Sequence, residues 1–233
     1  MVNEAVPFEH LSCEECQSRG QNFFCDLPNE ALRLLSESKI PNRYKKGQVL
    51  FYEGQIPAGI YCVNSGIVKV ETEGKEGTGH ILRIVQKGGI LGYRSLFAKE
   101  PYRASAQISE DAQICLIPKA SIQQLLLLYP GLALKILARL SVELGISEHR
   151  FCRMSDSLVG ERIAEALLFL KENFEKPNWT RREIAEWAGT TPETVMRTLA
   201  DFEGDGIIKQ SGRSIDIVNR QGLIKRANMD FGI

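Results

Sequence analysis

The cysteines carry the most distinctive chemistry in this sequence of 233 residues, which has six of them. Cys13, Cys16 and Cys25 crowd a short leader with the spacing Cys-x2-Cys-x8-Cys, and Cys115 closes a distant apolar run, Cys115-Leu116-Ile117-Pro118. Four thiolates are what a [4Fe–4S] cluster takes. The same set would also hold a zinc ion, and a third reading is that the thiols bind nothing, because free cysteine packs as a small hydrophobe. Cys62, in a strand-like run, and Cys152, in a helical one, read as structural on that ground. His10, His80 and His149 are scattered and form no ligand pattern. The start, MVNEAVPFEH, lacks the basic and apolar regions of a secretory signal, which predicts a cytoplasmic, reducing setting where thiols stay unpaired. No apolar run approaches the ~20 residues of a membrane span.

A second constellation lies towards the C-terminus. Thr180-Arg181-Arg182-Glu183 is a capping box that opens a helix through Ile184, Ala185 and Ala188, and Gly189 stops it. Thr191 then caps a second helix with Pro192 at its first position, where a missing N–H costs nothing. Two short helices joined by a glycine turn make a helix-turn-helix. In the second, Val195, Leu199 and Phe202 share one face and are expected to pack inward, leaving Glu193, Met196 and Arg197 pointing elsewhere. Arg197 can bond the O6 and N7 edge of guanine, and Glu193 can accept from cytosine N4. The competing reading of these two, four residues apart, is a surface ion pair. Met196 suits a thymine methyl, and Thr190 and Thr191 are expected on phosphate, which positions a helix without reading sequence. Ile207 to Gln210 and Ser214 to Val218, flanking Ser211-Gly212-Arg213, read as a hairpin wing.

The rest of the chain must position these groups. Pro28 to Ser38 reads as a short helix, and from Tyr44 to Pro118 short apolar runs alternate with glycines. The runs are Val49 to Phe51, Ile60 to Val63, Ile67 to Val70, His80 to Val85 and Ile114 to Ile117, and many short strands with glycine turns imply an antiparallel barrel or roll. From Pro130 the period becomes helical, with Ile136, Leu140, Leu144, Ser147, Phe151, Met154 and Leu158 forming a candidate coiled-coil seam between two copies of the chain. A helix packed on its own roll is the other reading of that line. Ile163, Ala166, Leu167 and Leu170 form a further helix face that Lys176-Pro177-Asn178 ends. Lys plus Arg and Asp plus Glu balance at 29 each, so net charge does not announce a nucleic-acid partner. No P-loop, no G-x-S-x-G and no H-E-x-x-H occurs, which argues against an enzyme.

Two blocks carry a family resemblance. KKGQVLFYEGQIPAGIYCVNSGIVKV, Lys45 to Val70, resembles the opening of the cyclic-nucleotide-binding β-roll. TRREIAEWAGTTPETVMRTLADFEGDGIIK, Thr180 to Lys209, resembles the winged helix-turn-helix of the CRP/FNR transcription regulators. The resemblance implies an α+β chain with a Cys-bearing leader over 1–28, a sensory β-roll over 29–129, a dimerisation helix over 130–157 and a winged helix-turn-helix over 158–233. It also implies a homodimer on an inverted-repeat duplex with a TGA half-site core, and RNA polymerase as partner. Members that bind cyclic AMP carry Gly-Glu-x-x-Leu and then Arg-Ser. Here Gly92-Tyr93-Arg94-Ser95-Leu96 has Tyr for the ribose-binding Glu, and in Tyr102-Arg103-Ala104-Ser105-Ala106 the Arg and Ser are not adjacent. The cysteines are similar to the oxygen-sensing FNR branch, which implies a [4Fe–4S] cluster on Cys13, Cys16, Cys25 and Cys115, with oxygen or nitric oxide as signal. Cys25 departs from the best-known spacing. The alternative within the family is a small ligand, haem or zinc in the N-terminal domain. From another class, the alternative is a nucleotide-binding module with a helical tail.

Overall fold

The structure, a computed structural model, describes residues 12–16, 18–74, 79–174 and 178–229. His10 and the Lys176-Pro177 helix stop lie outside the described residues. The chain divides into two compact units, one running to Thr72 and from Leu82 to Leu144, the other comprising Glu73–Ile81 and the chain from Gly145.

The first unit is the expected antiparallel roll. After α1 (Asn29–Ser38) come β1 (Ile40–Tyr44), β2 (Val49–Phe51), β3 (Gly59–Glu73), β4 (Gly79–Val85) and β5 (Ile90–Leu91). Then follow α2 (Tyr93–Ala98), β6 (Ser105–Pro118) and α3 (Lys119–Leu128). The sheet order is β1-β6-β3-β4, with β2 also on β6 and β5 on β3. Val63, Val68, Ile108 and Ile114 fill its interior. A second core, with Leu32, Ile60, Ile117 and Leu125 at its centre, packs α1, α3 and the leader's Phe23 and Phe24 against the roll. Gly66 departs from its expected role as a turn between two strands. It sits inside one strand of 15 residues, at φ +88°, where the register against β6 shifts repeatedly. A Cβ there would collide with the Asp111 carbonyl, so glycine makes a bulge and not a chain reversal.

α4 (Gly131–Asp156) is a single helix of 26 residues, and it corrects the predicted seam. Ile136 is 5% exposed and Leu140 packs against the same roll core, whereas Leu144 is 60% and Phe151 76% exposed. The reason is geometric: two successive steps of four residues, from Ile136 to Leu144, rotate about 80° around a helix of about 3.6 residues per turn. The exposed stripe runs instead through Leu134, Leu137, Leu144 and Phe151.

The second unit holds α5 (Val159–Asn173), α6 (Arg181–Ala188), α7 (Pro192–Gly204), the hairpin β7 (Ile208–Ser211) and β8 (Ser214–Ile217), and α8 (Arg220–Arg226). Ile163, Leu167 and Leu170 of α5 are buried as their spacing predicts. The part of α4 in this unit is anchored by Arg153, which donates to Glu165 of α5 at 2.9 Å and to the Ala227 carbonyl at 2.6 Å. Arg150 lies 4.0 Å over the Trp187 ring, which stacks on Phe169.

Candidate functional site

The C-terminal unit presents one helix face. Thr180 Oγ1 accepts from the Glu183 N–H at 3.1 Å while Glu183 Oε2 accepts from the Thr180 N–H at 2.9 Å, so the capping box forms as its sequence requires. α6 ends at Gly189, at φ +64°, and the Arg162 guanidinium donates to the Ala188 carbonyl at 2.9 Å. A Cβ on Gly189 would collide with the Met154 side chain, which lies over the turn. The Thr191 hydroxyl accepts from the Thr194 N–H at 3.3 Å, so this expected phosphate contact is first a helix cap. Thr190 follows the turn with its N–H on the Ala185 carbonyl at 3.0 Å.

Along α7, Val195, Leu199 and Phe202 are buried, which leaves Glu193, Met196 and Arg197 exposed. Among the described residues no ion pair joins Glu193 to Arg197, so both heads remain available to an external partner. Contacts that sequence reasoning missed set the wing beside this face. The Arg181 guanidinium donates to the Arg213 carbonyl at 2.9 Å and to Gln210 Oε1 at 2.7 Å, and the Gln210 side-chain amide donates to Glu203 at 3.0 Å. The two Arg181 bonds pair residues about thirty positions apart, and the Gln210–Glu203 bond spans seven, so no helical or strand period announces any of them. α8, capped by the Asn219 side chain accepting from the Gly222 N–H at 2.9 Å, has no counterpart in the sequence reading either.

In the first unit, the leader docks on the β3–β6 ladder. The Cys16 thiol donates to Asn64 Oδ1 at 3.6 Å, the Ser18 hydroxyl donates to the same oxygen at 3.1 Å, and the Cys13 N–H donates to Ser36 Oγ at 2.7 Å. Cys13 and Cys16 both act on the Cys115 thiol, which burial pushes up to about 11 with Lys39 opposing the shift. Cys13, Cys16 and Cys115 are therefore brought together; Cys25 is not among the thiols that act on Cys115. Cys62, read from sequence as structural, does stand with them, opposite Cys115 in the strand register. No local pattern could have shown that. Among the described residues no three Cys, His, Asp or Glu side chains converge as ligands of one ion.

The roll interior is poorly furnished for a cyclic nucleotide. Phe51 stacks on Tyr102 with ring centroids 3.8 Å apart and lies 5.7 Å from Tyr61. Arg103, the cation a cyclic phosphate would need, is exposed and donates to Glu100 at 3.0 Å. Tyr93, where nucleotide binders carry Glu, is buried, and burial first, then the nearby Glu143 carboxylate, push its hydroxyl up to about 12.

Residues 41–129 match the cyclic nucleotide-binding domain family and residues 161–226 the Crp-like helix-turn-helix domain. The anaerobic regulatory protein of Haemophilus influenzae is 28% identical over 92% of this chain and 87% of its own length. The transcriptional activator FnrA of Stutzerimonas stutzeri is 24% identical over 91% and 90%. The CRP-like cAMP-activated global transcriptional regulator of Mycobacterium tuberculosis is 25% identical over 88% and 95%. Among solved structures, the c-di-GMP responsive global regulator CLP of Xanthomonas campestris matches with a TM-score of 0.74 at 20% identity, over 82% of this chain and 99% of its own, a likeness of fold. A transcriptional regulator of the CRP/FNR family from Thermus thermophilus reaches 0.69 at 26% identity over 82% and 99%. These relatives are regulators and not enzymes, and no single helix among the described residues is long and apolar enough to cross a membrane. A nucleotide-binding-type roll, a long helix and a Crp-like helix-turn-helix with an outward-facing second helix follow one another here, and the chain belongs to the CRP/FNR family of DNA-binding transcription regulators.

Proposed function

We propose that this regulator works as a homodimer on an inverted-repeat site and senses oxygen or nitric oxide through a [4Fe–4S] cluster held at the junction of leader and roll. The observation that carries the reading is the docking of the leader, through Cys16 on Asn64 of β3, beside the paired strand β6 that bears Cys115. The relatives named as anaerobic or as fumarate and nitrate reduction regulators support the same class of signal. Against a cyclic nucleotide stand Tyr93 in place of a ribose acceptor and Arg103 paired outward. When bound, the cluster supplies an oxygen-labile link between the two segments its ligands come from. The protein's own residues carry the consequence onward: directly after Cys25 the leader reaches Asp26, which accepts from Lys135 of α4 at 2.6 Å. Arg83 and Arg139 both pair with Glu143, fixing the same stretch of α4 to the roll. A shift of the leader is thus felt at the helix whose exposed stripe serves a second subunit. The resemblance supplies RNA polymerase as the further partner. Purification without oxygen, an absorption spectrum and an iron and sulfide assay test the cluster. Sedimentation of the anaerobic and air-exposed forms tests the link: equal dimer affinity in both would remove it.

A further inference from the structure

Of the six cysteines Cys152 alone is exposed, although its place in a helical run reads as structural. On α4 it shares a face with His149, three residues before it, and Asp156, four after it. It stands one position past Phe151, turned about 100° from the exposed stripe at about 3.6 residues per turn, and so lies off the surface that the stripe offers to a second subunit. The three side chains line a cavity of about 230 Å³ that Ser157, Glu161 of α5 and Asn228, just after α8, complete. That is below the ~300–1,000 Å³ of sites for drug-sized ligands, and it suits a group of a few heavy atoms. Ser157 is 8% exposed, and its backbone is engaged on both sides: its N–H donates to the Arg153 carbonyl at 3.1 Å and its carbonyl accepts from Arg162 at 2.7 Å. Its hydroxyl meets no hydrogen-bond partner among the described residues. A buried hydroxyl left this way beside a cavity calls for a polar group inside it. The charge of the lining is one-sided. Arg153 spends its guanidinium on Glu165 and the Ala227 carbonyl, whereas Asp156 is exposed and joins no ion pair among the described residues. Glu161 keeps its charge while accepting from the Leu158 N–H at 3.0 Å. The thiol therefore sits beside two carboxylates with no spare guanidinium or ammonium to offset them.

We propose that Cys152 is a modification site for a small disulfide that carries an ammonium group, which it captures as a mixed disulfide. The Cys152 proton passes to the imidazole of His149 or to solvent, and the thiolate attacks one sulfur of the incoming disulfide. That S–S bond breaks, and the other half leaves as a thiolate that takes up a proton. Cys152 is oxidised and the incoming disulfide reduced, so the step needs no further oxidant, and a small thiol reverses it by the same exchange. The captured ammonium is held by the carboxylates of Asp156 and Glu161, with the Ser157 hydroxyl as a further acceptor. The site needs none of the cysteines of the leader or the roll.

The test uses the full chain, reduced and then freed of reductant, as wild type, Cys152→Ser and Asp156→Asn. Cystamine serves as the cationic disulfide and dithiodipropionate as the anionic one, both at neutral pH and low salt. Intact mass counts the adducts and peptide mapping places them. Because the two disulfides differ in intrinsic reactivity, the ratio of their rates at Cys152 in the folded chain is compared with the same ratio in urea. The expected result is a first adduct at Cys152 that Cys152→Ser lacks, and a folded ratio at least about tenfold above the unfolded one, as electrostatic steering supplies. Raised salt should shrink that excess. Asp156→Asn should melt as wild type and bring the ratio down towards the unfolded value. Equal ratios in the folded and unfolded chain would reduce Cys152 to an ordinary exposed thiol and overturn the proposal. A first adduct at another cysteine, or an undiminished ratio in Asp156→Asn, overturns it as well.

Discussion

At the scale of residues, Arg197 and Cys62 mark the two ends of what sequence can show. Arg197 was legible because α7 is regular: once Val195, Leu199 and Phe202 are assigned to the core, the remaining positions must face out. Arg197→Ala is expected to cost about 1–3 kcal/mol on a cognate inverted repeat and much less on scrambled duplex, and titration at fixed salt checks it. An equal loss on both duplexes would make Arg197 a backbone contact. Cys62 was illegible because its neighbours come from a strand register spanning the roll, and no periodicity near residue 62 encodes that pairing. The thiols should also differ in reactivity in the metal-free protein. Cys152 is exposed, whereas burial keeps Cys62 and Cys115 protonated at neutral pH, and the thiolate is the reactive form. Alkylation followed by peptide mapping should find Cys152 first and Cys62 last, with Cys115 speeding up as pH rises towards about 11. Rapid labelling of Cys62 at neutral pH would contradict the packing described.

At the scale of elements, the local signals that succeeded are those with a fixed chemical grammar. Thr180-x-x-Glu183 and Thr191-Pro192 begin α6 and α7, and Gly189 ends α6, because caps depend on residues a few positions apart. Thr180→Ala removes an acceptor for the Glu183 N–H and leaves Glu183 partly stranded, so it should lower stability by about 1 kcal/mol, read as a shift of the urea midpoint at unchanged slope. Gly189→Ala should cost at least as much, since the left-handed backbone and the Met154 side chain both oppose a Cβ. Signals that depend on the third dimension failed. Gly66 has the look of a turn glycine but is a bulge, because whether a chain reverses or bends is decided by the strand opposite. A seam through Ile136 misplaces the α4 stripe because hydrophobic spacing alone does not say which of two adjacent faces meets the chain's own core.

At the scale of the whole molecule, the buried and the exposed face of α4 can be separated by mutation. Ile136→Ala opens a cavity in the roll's outer core and should destabilise the fold by about 2–5 kcal/mol, read from chemical denaturation. Leu144→Glu, on the exposed stripe, should leave the melting of the subunit close to wild type while shifting sedimentation towards monomer. A Leu144→Glu chain that still sediments as the wild-type dimer would move the interface elsewhere. The order of the parts was readable from sequence because each has a self-contained signature, while the internal ties through Arg153, Arg181 and Lys135 were not, since each links residues distant in sequence. That the α4 stripe and the exposed heads of α7 are different sets of residues has a genetic corollary. A subunit altered only at Arg197 keeps its pairing surface, so in a cell with both alleles it should enrol normal subunits into complexes with one blind half, and the defect should be dominant. If the stripe is the pairing surface as proposed, a subunit altered at Leu144 should enrol nothing, and its defect should be recessive.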